Sequence, residues 1–233
     1  MAKRATVVVA LAGVIAGFGA VPAAEAKSVT IGSPGPTSDY LVQLGTVATL
    51  VNAEIPGATV TAPEDGVITK WTIAGAAGDW FELQVVHPAG GAYTSSASTS
   101  FVLVPAGPTS SFKTKLPISA GDYVGIVPRD AFNRIGGRAP PQSSSLLFMP
   151  PLGSEPMSPS GSAPGEFGFN ATMATNCVVP KLKKKSLHAA KKRLKKAGCA
   201  RPKVKGKGKR VKSQKPRAGK VIRGDKAVKL TLG

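Results

Sequence analysis

The sequence predicts a mainly β chain in two parts: an N-terminal antiparallel β-sandwich and a small C-terminal α+β domain. Residues 27–176 contain short stretches in which apolar and polar side chains alternate, separated by clusters of turn-forming residues. Residues 177–233 combine the spacing of one short helix with a final alternating strand. The charged residues are also distributed unevenly between these two parts. The 233-residue chain carries a net charge of +19, and 22 of its 31 Lys and Arg lie in residues 177–233 beside a single acid, Asp225. Such asymmetry indicates two physically different units.

Residues 1–26 have the pattern of a secretory signal peptide. A charged start at Lys3 and Arg4 precedes an apolar stretch, and Ala24-Glu25-Ala26 has the small-x-small form of a cleavage site. We therefore predict a secreted protein that begins at Lys27 and has no membrane span once the signal is removed. The alternative is an uncleaved N-terminal anchor, since the apolar stretch is close to the shortest length that crosses a bilayer.

Residues 27–176 are predicted to form the sandwich domain. One strand places Val67, Trp71 and Ile73 on one face, and others begin near Phe81 and Phe167 with the same alternation. The segment 136–165 is rich in Pro, Ser and Gly, with a strand expected at 146–149, so we predict that the rest is a long loop inside the sandwich or at its rim. The phrases at 62–68 and 116–125 resemble the jelly-roll sandwiches of secreted bacterial proteins.

The two tryptophans have different predicted roles. Trp71 shares its face with apolar neighbours and is expected in the core, whereas Trp80 alternates onto the face of Glu82 and Gln84. Trp80 is therefore the candidate for stacking on a sugar ring. This supports an alternative function, in which the sandwich binds carbohydrate and the basic tail serves only as an anchor.

The residues needed for catalysis are sparse in this sequence. The two histidines, His87 and His188, are isolated, and no nucleophile or metalloprotease motif is present. We predict a protein that is not an enzyme and uses no cofactor or metal. Calcium bound by turn carboxylates at Asp65, Asp79 or Asp122 is the alternative, since hard oxygen ligands in turns suit that ion.

The tail begins with a helix predicted over residues 186–198. Ser186 is a suitable N-cap, and Gly198 is placed where helices end in the left-handed conformation. The apolar stripe of this helix consists of Leu187, Ala190, Leu194 and Ala197. Val228, Leu230 and Leu232 then alternate with polar residues, as in a half-buried strand.

The two cysteines, Cys177 and Cys199, bracket this helix. An even, closely spaced pair in a secreted chain predicts a disulfide. The alternative is a metal or thiol pair, but only His188 lies nearby, and structural zinc sites use four ligands.

Four ordered motifs of the tail resemble the PASTA domain, over residues 178–233. They are Val179-Pro180, the helix ending in Ala197-Gly198, Ser213-Gln214-Lys215-Pro216-Arg217-Ala218-Gly219, and the strand from Gly224 to Leu230. The resemblance implies an extracellular module of bacterial cell-wall proteins that recognises muropeptides or β-lactams. This chain has one copy, which is unusually basic.

The expected partner is peptidoglycan or an anionic polymer of the cell envelope. The predicted binding residues are Lys181, Lys183, Lys184, Lys185, Lys203, Lys205, Lys207, Lys209 and Arg210. The tail contains no Phe, Tyr or Trp, so bases cannot stack on it, and we predict no nucleic-acid partner. We also expect a monomer. The alternative is that the basic surface serves only solubility.

Overall fold

The structure is a computed structural model that describes residues 28–233, and the predicted signal peptide at 1–26 lies outside this range. The described range contains one α-helix and eighteen strands. The prediction of a mainly β chain with a sandwich and a small α+β tail is confirmed.

Fourteen strands begin in the first part of the chain. They are β1 (Ser28–Gly32), β2 (Tyr40–Gln43), β3 (Thr49–Glu54), β4 (Gly66–Ala74), β5 (Trp80–Ala89), β6 (Ala92–Ser98), β7 (Val102–Leu103), β8 (Thr109–Ile118), β9 (Tyr123–Pro128), β10 (Arg134–Arg138), β11 (Ser144–Phe148), β12 (Gly161–Pro164), β13 (Glu166–Phe167) and β14 (Phe169–Val178).

The strands form two large antiparallel sheets and one small sheet. The first large sheet has the order β1-β14-β4-β8, and the second has the order β12-β11-β3-β9-β5-β6 with β7 beside β5. The small sheet has the order β13-β10-β2. The chain crosses between the large sheets from β3 to β4, from β4 to β5 and from β8 to β9. These repeated crossings fit the predicted jelly-roll-like sandwich.

The sandwich core lies between the inner faces of these sheets. Trp71 is buried, as predicted, with Phe169 on the first sheet, and Phe81 and Ile126 are buried on the second. Alternation along each strand puts these side chains on one face, and their burial contributes roughly 1.5–3 kcal/mol each. The apolar positions of the predicted strands are thus the positions that form the core.

The proline-rich segment after β11 packs on the outer face of the second sheet. Leu152 is buried there against Val51, Val86 and Phe148. Its N–H donates to Thr49 Oγ1 at 2.9 Å. This part of the predicted loop therefore covers a second, smaller apolar cluster, whereas residues 161–164, also expected in the loop, form strand β12 beside β11.

The tail adds one helix and four strands. They are α1 (Leu187–Lys196), β15 (Lys203–Lys205), β16 (Val211–Lys215), β17 (Val221–Arg223) and β18 (Lys229–Leu232). The sheet order is β15-β18-β16, with β15 parallel and β16 antiparallel to β18. One buried cluster holds the helix on this sheet, and it includes Leu182, Ala190, Leu194, Val228 and Leu230.

Strand β14 joins the two parts of the chain. Its first residues pair with β1 and β4, and its last three, from Asn176 to Val178, pair with β17 of the tail. Residues 175–178, where the two parts of the chain meet, are therefore regular strand. The division between domains at 176/177 stays a prediction, and it falls inside this strand.

Helix α1 has the ends that the sequence predicts. The Ser186 hydroxyl accepts a hydrogen bond from the Ala189 N–H at 3.2 Å. At the other end Gly198 has a φ of 68°. The N–H groups of Gly198 and Cys199 donate to the carbonyls of Lys195 and Leu194 at 3.1 and 3.0 Å. This is the Schellman arrangement, which satisfies the last carbonyls of the helix.

Candidate functional site

The tail motifs that resemble the PASTA family build its scaffold. Gln214 Oε1 accepts from the Leu182 N–H at 2.7 Å, and its Nε2 donates to the carbonyls of Pro180 and Pro216 at 3.0 and 3.3 Å. One partly buried amide therefore ties the entry segment to β16 and the turn after it. Its role is structural.

The glycine of the same motif closes a turn against the start of the domain. Gly219 has a φ of 81°, which favours glycine. Its N–H donates to the Val179 carbonyl at 2.8 Å, and the Val179 N–H donates to the Lys220 carbonyl at 3.0 Å. Gln214 and Gly219 of this motif therefore specify the fold.

The disulfide between Cys177 and Cys199 is present, as predicted. It links β14 to the residue just after the helix end, with the two Cα atoms 5.0 Å apart. Both cysteines are buried in the tail cluster. The bond therefore fastens the helix to the strand that both parts of the chain share.

A basic groove runs between the entry segment and β16. We define it by Lys181, Lys183, Lys184, Arg210, Lys212 and Arg217. Two adjoining shallow cavities of about 260 and 320 Å³ make up the groove, and Lys183 and Lys212 line both. Lys184 lies here because its N–H donates to the Val211 carbonyl at 2.8 Å. The groove thus concentrates positive charge along one edge of the tail.

A second basic surface lies on the solvent side of the tail sheet. Lys203 and Lys215 are each paired in register with Lys229, so three lysines stand in one row across three strands. Lys205 and Ser213 are each paired with Thr231 and form the next row. We call these six residues the lysine face. All six are exposed, and they line one depression of about 300 Å³.

A β-bulge at Lys212 changes which side chains of β16 face the core and which face solvent. Val211 pairs with Leu232 and Ser213 pairs with Thr231, so Lys212 is an extra residue. The bulge turns Val211 and Gln214 toward the core and leaves Ser213 and Lys215 on the lysine face. The spacing of three between Val211 and Gln214 requires this shift, because a regular strand alternates with period two.

The charge of the tail is not neutralised within the tail. Its one acid, Asp225, is already engaged by Arg223, with Nε and Nη2 at 3.2 and 3.1 Å from the two carboxylate oxygens. Across residues 28–233, the ion pairs involve Arg or His and no lysine. The groove and the lysine face are therefore open to an external anion.

The structure divides the predicted binding residues between these surfaces. Lys181, Lys183, Lys184 and Arg210 lie in the groove, and Lys203 and Lys205 lie on the lysine face. Lys185, Lys207 and Lys209 are exposed but are not among the residues that line either surface. As a binding set, these nine residues stay a prediction.

Sequence reasoning missed six residues of these surfaces. They are Lys212, Ser213, Lys215, Arg217, Lys229 and Thr231. The signal was available in part, because Lys229 and Thr231 alternate with the buried Leu230. The sequence carried no signal for the pairing of β15 and β16 on either side of β18, because cross-strand register is not visible in a short polar strand.

Trp80 is half-buried on the sandwich, and one face of its ring is covered. The guanidinium carbon of Arg129 lies 5.0 Å from the ring centroid, within the range of a cation–π contact. The Trp80 backbone N–H is 3.4 Å from Asn133 Oδ1. Sugar stacking at Trp80 stays a prediction, and it requires the other face of the ring.

The carboxylates considered for calcium hold turns instead. Asp65 Oδ1 accepts from the Ala120 N–H at 3.0 Å, and Asp79 Oδ2 accepts from the Arg134 N–H at 2.8 Å. Asp122 accepts from the Ser119 N–H at 2.8 Å and lies 2.7 Å from His87 Nδ1. His87 is exposed near the end of β5.

Residues 178–233 match the family model of the PASTA domain. The tail therefore carries a PASTA domain, as its motifs indicated. This domain is a binding module for peptidoglycan-related ligands, and it indicates a protein associated with the cell envelope. Neither the curated proteins nor the solved structures contain a match to this chain. Between residues 28 and 233, the helix is too short and too polar to cross a bilayer.

Proposed function

We propose that this is a secreted, non-enzymatic protein whose PASTA domain holds it at the cell envelope by binding peptidoglycan or an anionic wall polymer. The observation that carries this proposal is the uncompensated charge of the tail. Residues 177–233 contain 22 Lys and Arg and one acid, and that acid is paired with Arg223. A polyanion supplies the counter-charge that the domain lacks.

The attraction in this proposal is mainly electrostatic. The tail has no aromatic side chain on which a sugar or base can stack. Charge attraction between exposed groups weakens as the Debye length falls from about 10 Å at 0.1 M salt to about 3 Å at 1 M. Release of counterions from a polyanion acts in the same direction. Binding should therefore fall steeply with salt.

The sandwich is the part that the PASTA domain carries. Because β14 runs through both parts, the sandwich is held on the tail by backbone hydrogen bonds as well as by a covalent chain. Export delivers both to the envelope, and we expect the secreted form to begin at Lys27. N-terminal peptide mapping of the secreted protein tests this, and an intact residue 1–26 segment would contradict it.

The direct test is co-sedimentation of the full chain with purified cell walls over a salt series. We expect binding at 0.1 M salt and its loss by 1 M. Walls stripped of their phosphate polymers show whether that component is the anion. Binding that survives 1 M salt and is competed by a soluble neutral muropeptide would overturn the electrostatic account. No binding at low salt would assign the basic surface to solubility.

The second candidate function is carbohydrate binding by the sandwich. It is favoured by Trp80, which lies half-buried beside Leu103, a residue that pairs with it in register and is 48% exposed. A glycan array probed with the full chain and with Trp80→Ala tests it. Loss of a saccharide signal in the variant supports this function, and an unchanged signal contradicts it.

A further inference from the structure

We propose that the lysine face is the ligand-binding surface of the PASTA domain and that it takes the phosphate groups of a phosphodiester-linked wall polymer. The inference rests on the proposed function, because it names the surface and the ligand class of that same domain. It concerns Lys203, Lys205, Lys215 and Lys229, with the hydroxyls of Ser213 and Thr231 between them.

Repulsion between the lysines of this face destabilises the fold. Neighbouring strands lie about 4.8 Å apart, so the Cα atoms of Lys203, Lys229 and Lys215 span about 10 Å. Like charges directly opposite one another across strands destabilise a sheet. Two such oppositions share the central residue Lys229. Departures from local folding rules concentrate at functional sites, where a ligand supplies the missing partner.

The lysine face differs from the basic groove in the hydrogen bonds that its cations make. In the groove, Arg210 Nη1 already donates to the Lys184 carbonyl at 3.1 Å. Arg193 Nη1 similarly lies 3.4 Å from the Lys181 carbonyl at the entry to the groove. Backbone acceptors thus engage part of the charge there. The four lysines of the face make no such hydrogen bonds within the described residues, so every cation of the face is available to an anion, whereas in the groove Arg210 is already engaged.

The side chains of the face indicate which kind of anion it binds. The cations of the face are all lysines, and the arginines Arg210 and Arg217 lie in the groove. An arginine fork binds carboxylate and phosphate alike in a planar, bidentate geometry, whereas lysine is a compact point charge with three rotatable donors that imposes no planar geometry. Several ammonium groups and hydroxyl donors can surround a tetrahedral phosphate. The two rows, about 7 Å apart along the strands, offer successive places for repeating phosphates.

The test uses two variants of the full chain that lose the same charge. The first is Lys215→Thr with Lys229→Thr, which removes two charges from the face and keeps residues that suit strands. The control is Lys192→Gln with Lys196→Gln, which removes two exposed charges from the helix. Poly(glycerol phosphate) is the phosphodiester probe, polyglutamate is the carboxylate probe, and phosphatidylglycerol vesicles are the lipid probe.

We expect the full chain to bind poly(glycerol phosphate) more tightly than polyglutamate. The face variant should bind the phosphate polymer about tenfold or more weakly, while the helix control stays within about threefold. The slope of log affinity against log salt should also become shallower in the face variant, by about one for each phosphate that a substituted lysine no longer neutralises.

Stability gives a second readout that does not depend on affinity. Without polymer, the face variant should melt at a higher temperature than the unmodified chain, because repulsion across strands is removed. Saturating poly(glycerol phosphate) should raise the melting temperature of the unmodified chain and of the helix control. It should leave the melting temperature of the face variant nearly unchanged.

The outcomes separate this inference from the function on which it rests. Equal losses of affinity in the two variants would overturn the lysine face and leave electrostatic wall binding standing. Equal binding of polyglutamate, or binding of vesicles in place of polymer, would overturn the phosphodiester ligand. Failure of the unmodified chain to bind either purified walls or polymer would contradict the proposed function itself.

Discussion

The sandwich and the tail are stabilised in different ways. The sandwich buries about twenty hydrophobic residues in one cluster, including large aromatic side chains such as Trp71 and Phe81. The tail buries nine, of which two are the disulfide-bonded cysteines and none is aromatic. A domain of fewer than 60 residues is marginal on its apolar core alone. The comparison teaches that the tail depends on covalent and backbone fastening, which leaves its surface free to carry repulsive charge.

Removal of the disulfide should have the largest effect, and it should fall on the tail. For a closed loop of about 20 residues, Cys177→Ser with Cys199→Ser should lower tail stability by about 3 kcal/mol. Both tryptophans lie in the sandwich, so their fluorescence follows that part alone, and hydrogen exchange follows α1. A loss of sandwich stability by tryptophan fluorescence as large as the loss of α1 stability by hydrogen exchange would contradict separate stabilisation.

Gly224→Ala should affect both parts, because it acts where they meet. A Cβ at Gly224 would overlap the Thr175 carbonyl oxygen of β14 and would also lie 3.2 Å from the Gly198 carbonyl oxygen. Displacing backbone costs about 1–3 kcal/mol. We expect faster hydrogen exchange in the tail and, as a smaller effect, a lower melting temperature of the sandwich by tryptophan fluorescence.

Gly219→Ala is the matched control for that substitution. Gly219 has open space around its Cα and carries only the conformational cost of its positive φ. Its effect should be about 1–2 kcal/mol and confined to the tail. A shift of the tryptophan transition in this control as large as that of Gly224→Ala would contradict the claim that the contact at Gly224 couples the tail to the sandwich.

Loss of the helix cap should have a smaller effect on stability, and the effect should be local to the helix. Ser186→Ala removes the acceptor of the Ala189 N–H and should cost about 1 kcal/mol. Ser186→Asp restores an acceptor and places a negative charge at the helix N-terminus, so its stability should return to that of the unmodified chain or above. Hydrogen exchange of α1 measures both, and unchanged exchange in the alanine variant would contradict the capping role.

The smallest expected effect is on the sandwich and depends on pH. Burial raises the pKa of Glu82, partly offset by the hydrogen bond from Gln84. A carboxyl with a raised folded-state pKa destabilises once it ionises, so stability is lost as pH rises from about 4.3 through the folded pKa. Glu82→Gln should therefore raise the sandwich melting temperature by about 1 °C at pH 7 and leave it unchanged at pH 3.5. A larger gain at pH 3.5 would contradict this.

Much of the fold was predictable because local patterns carried it. Alternation identified the core strands around Trp71, Phe81 and Phe169, and Ser186 and Gly198 marked the helix ends. These features depend on residues close in sequence. The continuity of β14 into the tail was not predicted, because the run from Thr175 to Val178 contains no pattern that separates a strand from a short linker.

The lysine face could not be predicted from the sequence. Clusters of lysines adjacent in sequence, such as Lys183 to Lys185, drew attention, yet the face is assembled from three separate strands. Its row of Lys203, Lys229 and Lys215 follows from register, which the bulge at Lys212 shifts by one residue. Only the three-dimensional pairing brings these charges together.

The measurement that tests the central claim most directly is hydrogen exchange of the full chain with and without isolated wall polymer at 0.1 M salt. We expect the polymer to slow exchange in β15, β16 and β18 of the PASTA domain, to leave the sandwich strands unchanged, and to lose its effect at 1 M salt. Slowed exchange centred on β5 and the turn at 129–133 around Trp80, with none in the tail sheet, would contradict the account and assign binding to the sandwich.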